Sequence, residues 1–362
     1  MSITVILAGG GTAGHVEPAL AVASWIRQSN PQVNLIFAGT KTGLENQLVT
    51  KAGFKLVHIS KVLMPRQITP SILFWPLKLF HATLKSLRIC KSANLIIGFG
   101  GYACPPIYLA AAILRKPIFI HEANAIPGWA NRLGAIFAKQ IFIAFARAGT
   151  KSGKWRQSKL TGMPIRSEIL SNQRSSLEQR IQNKNSQLDK WNLSTMKPTI
   201  LVFGGSQGSR HINEAILQTL SFFTEKGVQI VHSVGRNNPL PTSSENYLPL
   251  SYIDDMSSAY QACDLVIARS GALTCAELAA VGKFAILIPL PIGNGEQSAN
   301  AADLQSVGAA QLVDDSKFNA DWLMSNWDEI WRKAQEYESS PNQEFLASEI
   351  IGSAILHEVG LR

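Results

Sequence analysis

The first 166 residues of this 362-residue chain contain only three acidic side chains, Glu17, Glu45 and Glu122, and no aspartate. Against them stand 20 lysines and arginines, a net charge of +17, while the remainder holds 14 basic and 22 acidic residues and sums to −8. A half so poor in carboxylates attracts an anionic surface or substrate, and nucleic acid, anionic lipid and phosphorylated ligands all fit that charge. Cysteine is scarce as well. Cys90, Cys104, Cys263 and Cys275 form no Cys-x-x-Cys pair and no metal spacing with the seven histidines, which fits a reduced, cytosolic protein. An Asp-x-Asp motif is missing, Asp254 and Asp255 being adjacent and turn-like, so neither a tightly held metal nor a cofactor is expected. Met1 is followed by a strand pattern rather than a charged segment and an apolar stretch, so no signal peptide is expected.

An unbroken hydrophobic run of spanning length is also lacking. The longest uncharged stretch, Ser92 to Leu114, is interrupted by Gly98, Gly100, Gly101, Pro105 and Pro106, where a membrane helix would leave backbone groups unsatisfied. It reads instead as a buried strand (Leu95 to Gly98), a glycine turn and a helix (Pro106 to Leu114). What is present is 46% hydrophobic residues with 27 glycines and 17 prolines, the composition of a globular α/β protein, at a length that suggests two domains.

Thr4 to Ala8 is an apolar strand leading into Gly9-Gly-Gly-Thr-Ala-Gly-His15 and a helix whose Val16, Ala19, Leu20 and Ala23 share a face. Strand, glycine loop and helix open a nucleotide-binding α/β domain, and Gly9, Gly11 and Gly14 satisfy G-x-G-x-x-G. The next strand, Val33 to Ala38, runs into Gly39-Thr40-Lys41 where a nicotinamide ribose would need an acid, which argues against a dehydrogenase. Strands at Phe54 to Ile59, Leu95 to Gly98 and Pro117 to Ile120 continue the alternation. They imply a parallel sheet whose glycine loops, with the 121–128 loop, converge at the carboxyl ends of the strands.

The pattern restarts after a polar stretch, 171–197, expected to be a linker with one exposed helix. Thr199 to Phe203, the loop Gly204-Gly-Ser-Gln-Gly208 and a helix face of Ile212, Ala215, Ile216 and Leu220 repeat the opening, followed by strands at Gln229 to Ser233, Leu265 to Ala268 and Phe284 to Pro289. Ala268-Arg-Ser-Gly-Ala-Leu-Thr-Cys-Ala-Glu277 joins a strand to a helix through a small polar turn, leaving N–H groups for an anion or sugar hydroxyls and a carboxylate to reach back to them. A C-terminal helix from about Gln343 to Glu358 is expected to pack on the first domain. Lys61 to Lys91 interleaves Ile72, Leu73, Phe74, Trp75, Leu77, Leu79 and Phe80 with Lys61, Arg66, Lys78, Lys85, Arg88 and Lys91. Such a segment is either a core helix with a solvated basic face or a surface docking on anionic lipid; the missing acids favour docking.

Gly10-Gly-Thr-Ala-Gly-His15, Gly100-Gly-Tyr102, His121-Glu-Ala-Asn124, Gly204-Gly-Ser-Gln-Gly208, Tyr252-Ile-Asp-Asp-Met256 and Arg269-Ser-Gly-Ala-Leu-Thr-Cys-Ala-Glu277 lie in order from residue 3 to about 310. As a set they resemble the MurG family of UDP-N-acetylglucosamine:muramyl-pentapeptide pyrophosphoryl-undecaprenol N-acetylglucosaminyltransferases. The resemblance implies two Rossmann-like domains facing a central cleft, the glycosyltransferase B fold. Residues 1–166 would bind the acceptor and the membrane, with the helix of about 343–362 packed back on them, and residues 167–342 would bind the UDP-sugar.

The implied reaction is inverting transfer of N-acetylglucosamine from UDP-N-acetylglucosamine to the muramyl 4-hydroxyl of lipid I, giving lipid II for peptidoglycan. It would occur at the cytoplasmic face of the bacterial membrane, with the protein peripherally attached and no role for nucleic acid. His15 matches the proposed base, and Thr12, Ala13 and Gly14 beside it a donor contact. Arg166 and Ser206 match positions near the donor phosphates, Ile253 a backbone contact to uracil, and Asn124 and Gln297 contacts to the sugar. Glu277, with Ala272, Leu273 and Thr274, matches the ribose site, and Gly100, Gly101 and Tyr102 the acceptor loops. Three positions depart from the family pattern: Ala13 in the first loop, Met163 where Gly-Asn-Pro is usual, and Glu296 before Gln297. A UDP-sugar 2-epimerase on a similar fold would share the uridine site but need acids in the first half. A non-catalytic basic module would leave the glycine loops and Glu277 unexplained, and no nucleic-acid motif is evident.

Overall fold

A computed structural model describes residues 3–63, 73–150, 152–173, 175–291, 294–337 and 346–361. The chain forms two compact units, Met1–Arg166 with Phe345–Arg362, and Ser167–Glu344. The first is built from β1 (Thr4–Ala8), α1 (Ala13–Ser29), β2 (Asn34–Gly39), α2 (Leu44–Lys51), β3 (Lys55–His58), α3 (Trp75–Lys91), β4 (Leu95–Gly98), α4 (Cys104–Ile113), β5 (Ile118–Glu122), α5 (Trp129–Ala135), β6 (Gln140–Ile143) and β7 (Lys159–Leu160). Its seven strands are all parallel in the order β3-β2-β1-β4-β5-β6-β7.

The central strands are apolar along their whole length because both faces are covered, as parallel crossovers require. Val5 and Leu7 of β1 point with Leu35, Phe37, Leu95 and Ile97 into a layer under α1, whereas Ile6 and Ala8 point with Ile36, Ile96, Ile118 and Ile120 into the layer under α4. A helix at the end of the chain, Ala347–Glu358, packs against α1 and adds Ile351, Ile355 and Leu356 to the first of these layers. Burying three such side chains is worth roughly 1.5–3 kcal/mol each. Gly352 makes the approach possible, since a Cβ there would lie 2.3 Å from the indole of Trp25. This helix begins at Ala347; Gln343 lies outside the described residues.

The second unit contains α6 (Ser167–Gln173), α7 (Leu177–Lys190), β8 (Thr199–Phe203), α8 (Arg210–Gln218), α9 (Leu220–Glu225), β9 (Gln229–Ser233), β10 (Tyr247–Leu250), α10 (Met256–Ala262), β11 (Leu265–Ala268), α11 (Ala272–Val281), β12 (Ala285–Leu287), α12 (Glu296–Ser306), β13 (Ala310–Leu312) and α13 (Ala320–Glu336). The helix ending the chain is α14. Six parallel strands run in the order β10-β9-β8-β11-β12-β13. Both sheets therefore reverse their winding once, between β1 and β4 in one unit and between β8 and β11 in the other. The loops leaving these strand pairs diverge to opposite faces and open a crevice at each switch point.

The expected linker at 171–197 is instead part of the second unit. Ser176 caps α7 by accepting from the Gln179 N–H (3.2 Å), Leu188 is fully buried and α7 packs against α10. An ion pair between Lys184 and Asp264 ties α7 to the start of β11. With Leu188 its one buried residue, the helix carries too little apolar periodicity for the sequence to declare it.

Candidate active site

The loops leaving β1, β2 and β4 meet at one end of the first sheet, and one carboxylate binds all three. Glu45, on the first turn of α2, accepts from the Thr40 N–H (2.8 Å), the Thr40 hydroxyl (2.9 Å) and the Tyr102 hydroxyl (2.9 Å) through Oε1, and from the Gly11 N–H (3.2 Å) through Oε2. Burial works against its charge, but the N–H groups of Thr40 and Gly11 outweigh it and hold the carboxyl below the usual range. Gly11 is the residue of the first loop in the left-handed region (φ 99°), and a Cβ on Gly101 of the β4 loop would fall 2.0 Å from the Gly10 carbonyl. Only glycine allows these two loops to touch.

His15 lies on the first turn of α1 above this contact. Its Nδ1 is 3.2 Å from the Gly10 carbonyl and 3.2 Å from the Thr12 hydroxyl. A carbonyl can only accept, so Nδ1 carries the proton and Nε2 holds the lone pair. Burial lowers the ring's pKa, opposed by the Gly10 bond and the nearby Glu45 charge, so the ring is neutral and basic at Nε2 near pH 7.

Glu122 organises the next loop. Oε1 accepts from the N–H (2.9 Å) and amide (3.2 Å) of Asn124, and Oε2 from the Gly128 N–H (3.0 Å) and the Asn131 amide (3.0 Å). Asn131 also donates to the His121 carbonyl and accepts from Tyr108. Burial raises the Glu122 pKa, with those four donors opposing. Arg166 reaches Glu17 of α1 at 3.6 Å. All three acids between residues 1 and 166 are thus withdrawn from the surface, at 7%, 1% and 2% exposure in chain order. The exposed charge of this stretch is purely cationic.

At the second unit's switch point, α11 starts at Gly271 without a side-chain cap, so its first N–H groups point into the crevice beyond β11. Glu277 lies in its second turn, buried, with Oε2 accepting from the Tyr260 hydroxyl of α10 at 3.0 Å. It is not the cap of the helix. Arg269 spans the crevice floor, donating to the Ile288 and Pro289 carbonyls, pairing with Asp315 and reaching Ser209 Oγ at 2.8 Å. Ser209 in turn caps α8, which fixes the Gly204–Gly208 loop containing the half-exposed Ser206. Asp255 caps α10 through the Ser258 N–H (3.0 Å), which positions the buried Ile253. Gln297 accepts from the Leu290 N–H at 2.9 Å, and Glu296 from the Asn294 N–H.

Two family models match most of the chain: the glycosyltransferase family 28 N-terminal domain over residues 5–143 and the family 28 C-terminal domain over 199–351. A Streptomyces coelicolor protein named UDP-N-acetylglucosamine--N-acetylmuramyl-(pentapeptide) pyrophosphoryl-undecaprenol N-acetylglucosamine transferase is 42% identical over 330 residues, 89% of this chain and 87% of its own. The chain belongs to the MurG family.

Among solved structures, Acinetobacter baumannii MurG superposes with a TM-score of 0.69 at 28% identity, covering 98% of this chain and 99% of that one. A putative UDP-N-acetylglucosamine 2-epimerase from Listeria monocytogenes reaches 0.62 at 13% identity over 99% of this chain and 97% of its own, a likeness of fold alone. Both units thus have the parallel-sheet architecture of the MurG glycosyltransferase B fold.

In the first unit the structure gathers Thr12, Ala13, Gly14 and His15 with Gly100, Gly101 and Tyr102, and sets Asn124 on the neighbouring β5 loop. In the second it groups Ala272, Leu273, Thr274 and Glu277 at one helix start. Among the departures from the MurG pattern, Ala13 has no left-handed backbone to maintain and Met163 is buried at 4% exposure. Sequence reasoning passes over Glu45, Thr40, Asn131, Tyr108 and Arg269. For Glu45 a signal exists: an acid is conspicuous where only three occur in 166 residues. It lies on α2 rather than at the end of β2, and its oxygens already accept four protein donors, so no ribose site is formed there.

α3 packs on α4 through Ala82, Thr83, Ser86 and Cys90. Its other side exposes Leu77 (55%), Phe80 (57%) and Leu84 beside Lys78, Lys85, Arg88 and Lys91, and Phe74 just before the helix is exposed too. Arg66 and Ile72 of the same expected segment lie outside the described residues. Among the described residues no helix is long and apolar enough to cross a membrane, and no group of three His, Cys, Asp or Glu is arranged to hold a metal.

Proposed function

We propose that the protein transfers N-acetylglucosamine from UDP-N-acetylglucosamine to the muramyl 4-hydroxyl of lipid I, forming lipid II for peptidoglycan. The observation that carries this reading is the bond of His15 Nδ1 to the Gly10 carbonyl, which leaves the lone pair on Nε2, in a chain related over 89% of its length to transferases of that name. His15 Nε2 takes the acceptor proton as the hydroxyl oxygen bonds to the anomeric carbon. The bond from that carbon to the phosphate oxygen breaks on the opposite face, inverting the centre, and UDP leaves with the electron pair. Developing charge on the diphosphate is met by Arg166, by Ser206 with the N–H groups of its loop, and by the start of α11.

Glu277 accepts the ribose hydroxyls, the Ile253 backbone meets uracil, and Asn124 and Gln297 hold the sugar. Thr12, Ala13 and Gly14 line the reacting end of the donor, and Gly100, Gly101 and Tyr102 cradle the acceptor diphosphate. The exposed apolar face of α3, ringed by cations and in a stretch with no exposed acid, docks the protein on the anionic cytoplasmic leaflet that holds lipid I.

Incubation of the pure protein with labelled UDP-N-acetylglucosamine and a short-chain lipid I analogue tests the reaction. Label in the lipid product is expected. Retained UDP-sugar binding without transfer would instead favour epimerisation or a binding role.

A further inference from the structure

Glu45 has no place in the reaction just described, yet its side chain accepts four hydrogen bonds from three separate loops. Its oxygens join three loops: the turn after β1 through Gly11, the turn after β2 through Thr40, and the loop after β4 through Tyr102. Thr40 Oγ1 and the Tyr102 hydroxyl are themselves 3.1 Å apart, which closes the network. Space is kept for this side chain. A Cβ on Gly39 would fall 2.4 Å from Glu45 Cγ, and one on Gly43 2.2 Å from its carboxylate oxygens, while Gly10 also faces it, at 3.0 Å. A residue that only capped α2 would need none of these approaches.

We propose that Glu45 is a positioning residue for glycosyl transfer: by fixing Gly11 and Tyr102 together, its carboxylate holds the loop that aims the His15 imidazole. This inference rests on the reading of His15 as the base. The imidazole is anchored to the Gly10 carbonyl, the residue next to Gly11, so an error in the loop becomes an error in the direction of Nε2. A displacement of about 1 Å at such a group costs up to ~100-fold in rate.

The electrostatic part follows from what surrounds the ring. From α2 comes the Glu45 carboxylate, the charge that raises the His15 pKa. From the β4 loop comes Tyr102 and from the start of α4 Cys104, both kept neutral with pKa values pushed by burial up to about 12. At the end of β5, burial holds His121 neutral, with a pKa of about 4, and the Glu122 oxygens already accept from Asn124, Gly128 and Asn131. On α1 itself Glu17 pairs with Arg166. Without the Glu45 charge the opposition to desolvation weakens and the His15 pKa falls.

Glu45→Gln is nearly isosteric, and its amide either sets N–H against the Gly11 N–H or gives up the Tyr102 and Thr40 donors. In the full chain, turnover with the lipid I analogue should fall about tenfold or more while UDP-N-acetylglucosamine binding is kept. The acid limb of kcat/KM should move to lower pH. NMR of the ring-labelled protein, with the His15 signal identified by its absence in His15→Gln, should find a lower titration midpoint, and Glu45→Asp should restore part of both effects.

An unchanged His15 midpoint with turnover within twofold of wild type overturns the inference. If His15→Gln is inactive while Glu45→Gln turns over normally, this inference fails and the base reading stands. If His15→Gln itself turns over normally, both fail. Should Glu45→Gln not fold, Thr40→Val removes the hydroxyl arm of the network, and turnover there within twofold of wild type has the same negative meaning.

Discussion

Tyr260 donates its hydroxyl to Oε2 of Glu277 across 3.0 Å, joining α10 to α11 inside the second unit. This hydrogen bond fixes the orientation of a buried carboxylate in the second turn of α11. Tyr260→Phe removes one donor from a buried anion and should lower the unfolding free energy by ~1–3 kcal/mol. Glu277→Ala, with the fold intact by circular dichroism, should abolish the calorimetric signal for UDP-N-acetylglucosamine. Binding within twofold of wild type would leave Glu277 with a structural role only.

His15→Ala should lower turnover by ~10²–10⁴, the usual worth of a positioned general base, without changing donor affinity. Because the neutral ring is the active form, wild-type kcat/KM should fall as pH drops through the His15 pKa, and that limb should vanish in the variant. A rate within a few-fold of wild type would remove the base assignment.

Replacing Lys78 and Lys85 of α3 by glutamate should release the protein from anionic liposomes, at ~1 kcal/mol for each lysine lost near the surface, and the effect should shrink at high salt. Phe80→Glu should weaken flotation at every salt concentration while leaving the melting temperature unchanged, because the side chain is already exposed in solution. Equal flotation with neutral and anionic vesicles would count against docking on this face.

His232 lies in the core of the second unit, with Nε2 3.0 Å from Asn213 Oδ1 and Nδ1 3.0 Å from the Tyr247 hydroxyl. A donor on one side and an acceptor on the other suit the neutral ring, and burial lowers its pKa to about 4. The unfolded chain therefore binds the proton that the folded chain refuses between the unfolded value near 6.5 and about 4, so stability declines as pH falls through that window. At ~1.4 kcal/mol for each pH unit crossed, the loss is of the order of 3 kcal/mol by the bottom of the window. Denaturant melts at pH 7.5 and 5 should diverge more in wild type than in His232→Gln; identical divergence would show that His232 contributes nothing to the acid sensitivity.

The central strands of both sheets are legible because parallel strands buried on two faces are written as continuous apolar runs, and the glycine loops after them because only glycine fits there. Four strands escape: β6, β7, β10 and β13. β13 is three residues with one buried, and β7 is two exposed residues, so neither carries a pattern. Helix α7 reads as a linker because it buries a single leucine. His15 and Glu277 can be found from motif and position. Glu45 and Arg269 cannot be given roles from sequence, since their partners lie up to 57 and 60 residues away along the chain.

What the sequence determined by itself was the family, the twofold α/β plan and the residue types at each strand end, because these are local patterns of hydrophobicity, glycine and charge. What the tertiary structure decided was which carboxylates are buried and what they hold. A count of three acids in 166 residues announces a cationic surface, but only the meeting of the β1, β2 and β4 loops makes one of those acids the tie between Gly11, Thr40 and Tyr102.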